Sequence, residues 1–275
     1  MRTVWKQSSF YISSFLAENL DNYIQGVMNK STSAVFLIDG RSGLGKTTLS
    51  FQIGCYINSK LDKYMKEPPD FKLSNITWTP EDFIERLKIA TKGEVIILDE
   101  SMILSNRITM SEVNKMVIIM MSMIRSKQIF VIFNINSIFD MDKNLPLHRA
   151  DMLIHLYAED DKFASRGRYI VVPTAKGKLK NLYIHGKKFY DYSCAKPAFY
   201  DRFDAFFPFD ENEYEHKKQE AITNYFNQGK VTLSSKVRES RDNAIKHFRL
   251  NYNTTIEELA TAFKISERTV YEILK

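Results

Sequence analysis

The stretch Gly40-Arg41-Ser42-Gly43-Leu44-Gly45-Lys46-Thr47 matches the phosphate-binding pattern G-x-x-x-x-G-K-[ST] at every fixed position. The apolar run Ala34–Asp39 before it predicts a strand, and Thr48 to Ile57 after it predicts a helix. The motif therefore has the strand-loop-helix context that its chemistry needs. Glycines let backbone N–H groups converge on phosphate oxygens where a side chain would obstruct them, and the helix N-terminus points at the same anion. Lys46 is expected to neutralise β/γ-phosphate charge, and the Thr47 hydroxyl to complete the coordination of a hydrated Mg²⁺. The predicted cofactors are ATP and Mg²⁺, contacted by Gly40, Arg41, Ser42, Gly43, Leu44, Gly45, Lys46, Thr47 and Thr48.

A second run, Glu94-Val95-Ile96-Ile97-Leu98-Asp99-Glu100, reads as a buried strand ending in two carboxylates. Open parallel sheets place ligands at the carboxyl ends of their strands. Asp99 is expected to hold the magnesium through water, and Glu100 to orient or deprotonate an attacking water. Asn75–Trp78, Gln128–Asn134 and Met152–Leu156 read as further strands, and Thr79-Pro80-Glu81-Asp82 carries the cap, proline and acids of a helix start. Strands alternating with helices predict a parallel α/β sheet, which brings Asn134 beside the phosphates.

The 275 residues, 44% of them apolar, suffice for one large domain or a main domain with a small appendage. The net charge of +6 suits a nucleic-acid partner without requiring one. Cys55 and Cys194 lack metal-ligand spacing and fit a reducing cytoplasm, and the longest apolar stretch, Met116 to Ile124, is too short to span a bilayer.

Outside the core, residues 1–33 carry apolar positions at helical spacing and read as a helical segment. An aromatic stripe of this kind is core more often than a site, so Trp5 and Tyr11 receive no role. The core is expected over 34–157, with a Met-rich helix from Ser111 to Ser126. In 158–230 the stretch Ala164–Tyr190 has seven basic residues and no acidic one. It reads as a β-hairpin, Arg168–Val172 and Asn181–His185, turning at Lys176-Gly177-Lys178. Arg166, Arg168, Lys176, Lys178 and Lys180, interleaved with aromatics, are candidate nucleic-acid contacts, although a basic edge strand also discourages aggregation. Residues 191–230 read as an aromatic and acidic packing segment without visible chemistry, closed by a hinge at Asn227–Lys230.

The P-loop, the strand with Asp99-Glu100, the polar Asn134 one strand later, and Arg149-Ala150-Asp151 before a final strand resemble the ATPases with an extra strand between their two nucleotide motifs. These include the AAA+ and RecA-like branches, and the compact P-loop ATPases of viruses, phages and plasmids, zonular-occludens-toxin-like proteins among them. The resemblance covers roughly residues 34–157. It implies that Asn134 senses the γ-phosphate and that Arg149 reaches a neighbouring subunit's nucleotide, with Arg125 and Arg107 as competitors, in a homo-oligomer that closes as a ring. Residues 231–275 resemble the helix-turn-helix of transcription factors and transposases, with Arg268, Thr269 and Tyr271 facing DNA. Lys264 stands where that family commonly has glycine.

Together these features predict a Mg²⁺-dependent ATPase of a virus or mobile element coupled to DNA, single- or double-stranded, in replication, transfer or packaging. A nucleotide-switched DNA-binding regulator uses the same parts with turnover incidental. A small-molecule kinase shares the P-loop, but the paired carboxylates favour water as acceptor and the tail would be unexplained.

Overall fold

The computed structural model describes residues 2–4, 9–99, 124, 127–141, 143–158, 167–252, 254–263 and 265–274. They form two compact units, Met1–Gln219 and Glu220–Lys275.

The first unit begins with an antiparallel ribbon, β1 (Arg2–Val4) and β2 (Ser9–Tyr11), and α1 (Ser14–Asn29) follows. The N-terminal segment is thus helical only from Ser14, whose preceding Ser13 accepts a hydrogen bond from Leu16 N (3.1 Å). Ahead of that cap, Phe10 and Ile12 are buried while Tyr11 is half-buried, an alternation of period two that the helical spacing further along concealed.

The main sheet has seven strands. Five are parallel: β3 (Ala34–Asp39), β4 (Ile76–Thr77), β5 (Val95–Asp99), β6 (Phe130–Ile135) and β7 (Met152–Tyr157). Two more, β8 (Arg168–Pro173) and β9 (Phe199–Arg202), continue it antiparallel in the order β4-β5-β6-β3-β7-β8-β9. β6 therefore lies between the strand that feeds the P-loop and the strand that ends in Asp99.

Successive residues of a strand face opposite sides, so each face can be read from its register. On one face Val35, Leu37, Ile96, Leu98, Val131, Phe133 and Leu153 are buried against α3 (Pro80–Ile89), α4 (Asn144–His148) and α5 (Lys178–Gly186). The other face carries α2 (Lys46–Lys60), with Tyr23 of α1 edge-on to Phe36 of β3 at 5.2 Å. Asp151, just before β7, ties the P-loop strand in place by accepting from Val35 N (2.8 Å).

The predicted hairpin is corrected here. β8 pairs with β7 and β9, and the residues assigned to the second hairpin strand lie in α5. Leu179, Leu182, Tyr183 and Gly186 are spaced i, i+3, i+4, i+7 and all are buried. As a strand, Leu179 and Leu182 would point to opposite sides. As a helix both are fully buried, each worth about 1.5–3 kcal/mol relative to exposure.

α6 (Glu211–Tyr252) runs through the residues read as a hinge, so Asn227–Lys230 is helical. The second unit packs Ile245 of α6 with Leu259 and Ala260 of α7 (Ile256–Phe263) and Val270 of α8 (Glu267–Leu274). Reciprocal bonds, Thr255 N to Glu258 Oε2 (2.7 Å) and Glu258 N to Thr255 Oγ1 (3.2 Å), start α7, and Ser266 Oγ accepts from Thr269 N (3.2 Å) at the start of α8. Among the described residues no helix is long and apolar enough to cross a membrane.

Candidate active site

The carboxyl ends of β3, β5 and β6 are in register, Ile38 and Asp99 both pairing with Asn134. In front of them the chain turns through the P-loop into α2. Two glycines allow the turn: Gly40 has φ +141°, with Leu156 O only 2.6 Å from where a Cβ would sit, and Gly45 has φ +95°, with the Phe203 ring 2.9 Å from that position.

The loop and the strand ends enclose a cavity of about 420 Å³, within the range of small-molecule sites. Lys46, Thr47, Thr48, Asp99, Asn134 and Asn136 line it, together with Tyr214 and Lys218 from the first turns of α6. Lys46 Nζ donates to Gly40 O (2.6 Å), Arg41 O (3.3 Å) and Asn136 Oδ1 (3.2 Å), which holds the ammonium over the loop. Thr47 Oγ1 donates to Asp99 Oδ2 (3.1 Å), so the two oxygens expected to serve a hard cation already meet. That donor set fits magnesium.

Asn134 is fully buried; its amide donates to Ser50 Oγ of α2 (3.0 Å) and to Asp99 Oδ1 (3.4 Å). Its Oδ1 is buried and has no hydrogen-bond partner among the described residues.

A feature with only a weak signal in the sequence is Tyr214. Its hydroxyl donates to Asp99 Oδ2 (2.5 Å), the same oxygen that accepts from Thr47. Burial first, and then the Asp99 charge, push the Tyr214 phenol far above its ordinary range, so it is a donor at any physiological pH. The segment before it packs on α2: Gln52 Nε2 donates to Asp204 O (3.0 Å) and Phe206 O (2.8 Å), and Phe51 meets the rings of Phe207, Phe209 and Tyr214 at 5.0–5.5 Å. This segment has a packing role, and at Tyr214 and Lys218 it also reaches the chemistry.

Several sequence candidates lie elsewhere. Glu100, Arg107, Arg125, Arg166, Lys264 and nearly all of the Met-rich helix fall outside the described residues. Arg149 is exposed at the end of α4 and lines neither this cavity nor the second one described below. Lys176 and Lys180 are exposed and Lys178 half-buried around the start of α5, while Arg168 opens β8. Arg268 and Tyr271 project from α8, the latter 57% exposed, and Thr269 is half-buried beside Ser266. Cys55 is half-buried and its thiol is pushed up to about 12 by desolvation, which leaves it inert.

No protein-family model matches the chain, and no curated protein matches it either. One solved structure, a replication initiator DnaA bound to AMPPCP and single-stranded DNA, is similar with a TM-score of 0.32 and 13% identity, over 95% of this chain and 86% of that one.

Proposed function

We propose that the protein is a Mg²⁺-dependent P-loop ATPase whose nucleotide cycle is coupled to DNA. The observation that carries this reading is the convergence of Lys46 and Thr47 with Asp99 and Asn134 around one cavity, with β6 interposed between β3 and β5. The α2 N-terminus and the loop amides bind the phosphates, and Lys46 neutralises their charge. Thr47 would hold the magnesium directly and Asp99 through water, and the ion would supply positive charge against the phosphate oxygens. Asn134 senses the γ-phosphate, and Glu100, next after Asp99, orients or deprotonates the attacking water.

Arg149, exposed and outside its own chain's cavity, acts on the nucleotide of a neighbouring copy in a homo-oligomer. The helix pair α7–α8, with its capping box and buried Ala260 permitting close approach, is read as a helix-turn-helix that presents Arg268, Thr269 and Tyr271 to duplex DNA. Lys176, in the turn before α5, and Lys178 and Lys180, in its first turn, contribute phosphate contacts in place of a hairpin.

The test is ATP hydrolysis measured alone and with single- and double-stranded DNA. Turnover stimulated by DNA is expected. A protein that binds ATP and DNA but does not turn over favours the alternative, a nucleotide-switched regulator. The Tyr214–Asp99 bond is the one observation on that side, since it engages the carboxylate expected to serve the metal. A protein that binds no ATP overturns both.

A further inference from the structure

The carboxyl edge of the sheet carries a second cavity, of about 320 Å³, on the opposite face from the nucleotide cavity. Asp99 and Asn134 face α2. Asp39 and His155, aligned across β3 and β7, face the α4–α5 side.

Fully buried Asp39 organises this site. It accepts from Ile138 N (2.9 Å) and from the Tyr192 hydroxyl (2.5 Å), and is hydrogen-bonded to His155 Nδ1 (2.8 Å). The His155 and Tyr192 rings stack with centroids 3.6 Å apart and planes within 19°. Ser137 Oγ bridges to the Tyr192 hydroxyl at 3.2 Å. Pinned at their polar edges, the two rings form a fixed aromatic plate in the cavity wall.

Tyr190 stands at the mouth. It is 56% exposed, with its hydroxyl on Asp140 Oδ1 (2.5 Å), and its backbone has φ +55°. Bulky residues rarely adopt that conformation, which glycine would take without strain. What the tyrosine adds there is its ring. Exposed Arg41 lies on the rim, and exposed Lys187 and Lys188 are in the turn just before Tyr190. The nearby carboxylates are engaged: Asp140 holds Tyr190, and Asp191 holds Ser193.

Aromatic faces, an amide, a hydroxyl and flanking cations are the elements that receive an unstacked base with its phosphate. The volume, at the lower end for ligand sites, suits one base. A link to the nucleotide site is built in, because Asn136 lines both cavities and its Oδ1 accepts from Lys46 Nζ. We propose that this cavity takes one base of a single-stranded nucleic acid and couples it through Asn136 to Lys46. The proposal rests on the nucleic-acid-coupled reading above, and supplies the site and the route of coupling. A base that hydrogen-bonds the Asn136 amide releases Lys46 toward phosphate, and ATP in turn favours the base-bound arrangement by the same factor.

The test uses the full chain and dye-labelled oligo-dT and oligo-rU, titrated with and without a non-hydrolysable ATP analogue. Tyr190→Gly removes the ring while easing the backbone, so the fold is kept. It should weaken single-strand binding by roughly 5- to 150-fold, the span of one lost base stack. Asn136→Ala should bring the factor by which the analogue changes single-strand affinity to about one. Light-induced cross-links from bromouracil-substituted oligomers should map to Tyr190, Tyr192 or His155. Cross-links confined to other segments, or unchanged affinity in Tyr190→Gly, overturn the site. Loss of ATP affinity in Tyr190→Gly instead would place adenine here and also overturn it. A wild-type protein that binds ATP and duplex but no single strand overturns this proposal alone, whereas one that binds no nucleic acid overturns the DNA-coupled function as well.

Discussion

Tyr214→Phe separates a tyrosine that guards the proposed metal site from one that belongs to it. The hydroxyl bonds a buried carboxylate at 2.5 Å, and hydrogen bonds to charged groups contribute about 1.5–3 kcal/mol each. The ring itself, packed against Phe51, Trp78 and Phe207, is retained by phenylalanine. The variant without nucleotide should therefore unfold more easily by about 1.5–3 kcal/mol, read as a lower denaturant midpoint at unchanged slope. If magnesium and its water replace the hydroxyl on Asp99, the wild type gives up that same bond on loading and the variant does not. Binding of Mg²⁺–ATP should then tighten by roughly 10- to 150-fold, whereas binding of ATP in EDTA should stay as in the wild type. Stability and affinity move in opposite directions. A variant that loses both stability and Mg²⁺–ATP affinity would refute the argument, because the hydroxyl would then be a partner of the loaded site and not its competitor.

Other perturbations test the remaining assignments. Lys46→Ala should weaken nucleotide binding, while Glu100→Gln should retain binding and lose hydrolysis, since the carboxylate acts on water and not on the ground-state phosphate; wild-type turnover in the glutamine variant refutes the assignment. Arg149→Ala should bind ATP normally and hydrolyse it poorly, with partial rescue in mixed assemblies with Glu100→Gln protein; no rescue in confirmed mixtures leaves the arginine without a role in trans. Burial raises the Asp151 carboxyl from 3.8 to about 6. Below about pH 4 both folded and unfolded chains hold this proton, and between about pH 4 and 6 only the unfolded chain loses it, so stability falls as pH rises by up to about 3 kcal/mol. Asp151→Asn keeps an acceptor for Val35 N and should stabilise the protein by up to that amount at pH 7 and by nothing below about pH 4; equal stabilisation at both would show that ionisation is not the cause.

The parallel half of the sheet was legible because each of its strands is a short apolar run with punctuation at both ends. Ala34–Asp39 is stopped by Gly40, and the strand at Val95–Asp99 emerges within a residue of the run read from the sequence. Residues 178–190 were harder. Lys178, Lys180 and Asn181 interrupt the apolar positions in a way that fits a period of two about as well as 3.6, and only burial of Leu179 beside Leu182 decides for the helix. The hinge failed for a related reason: Gly229 is a weak breaker, costing about 1 kcal/mol in a helix, which a long helix absorbs.

The site was legible on one side only. The half proposed to bind phosphate is a contiguous motif, so its residue types and spacing point to that chemistry locally. Its other wall comes from Tyr214, more than a hundred residues beyond Asp99, and a tyrosine within Glu213-Tyr214-Glu215 has the same local pattern as any surface helix. A weak signal did exist. Phe203, Phe206, Phe207 and Phe209 precede α6 within seven residues, and so many aromatics in a polar, loop-like stretch need a surface to cover. α2 supplies it, because Phe51, Gln52 and Ile53 are buried in succession, so the helix is enclosed on more than the face it turns to the sheet. A helix buried around its circumference must have a cover, and a cover laid over that helix cannot end far from its N-terminus. The position of Tyr214 thus follows from the burial of α2, which the polar Ser50 and Gln52 hide in the sequence and at which only the aromatic cluster hints.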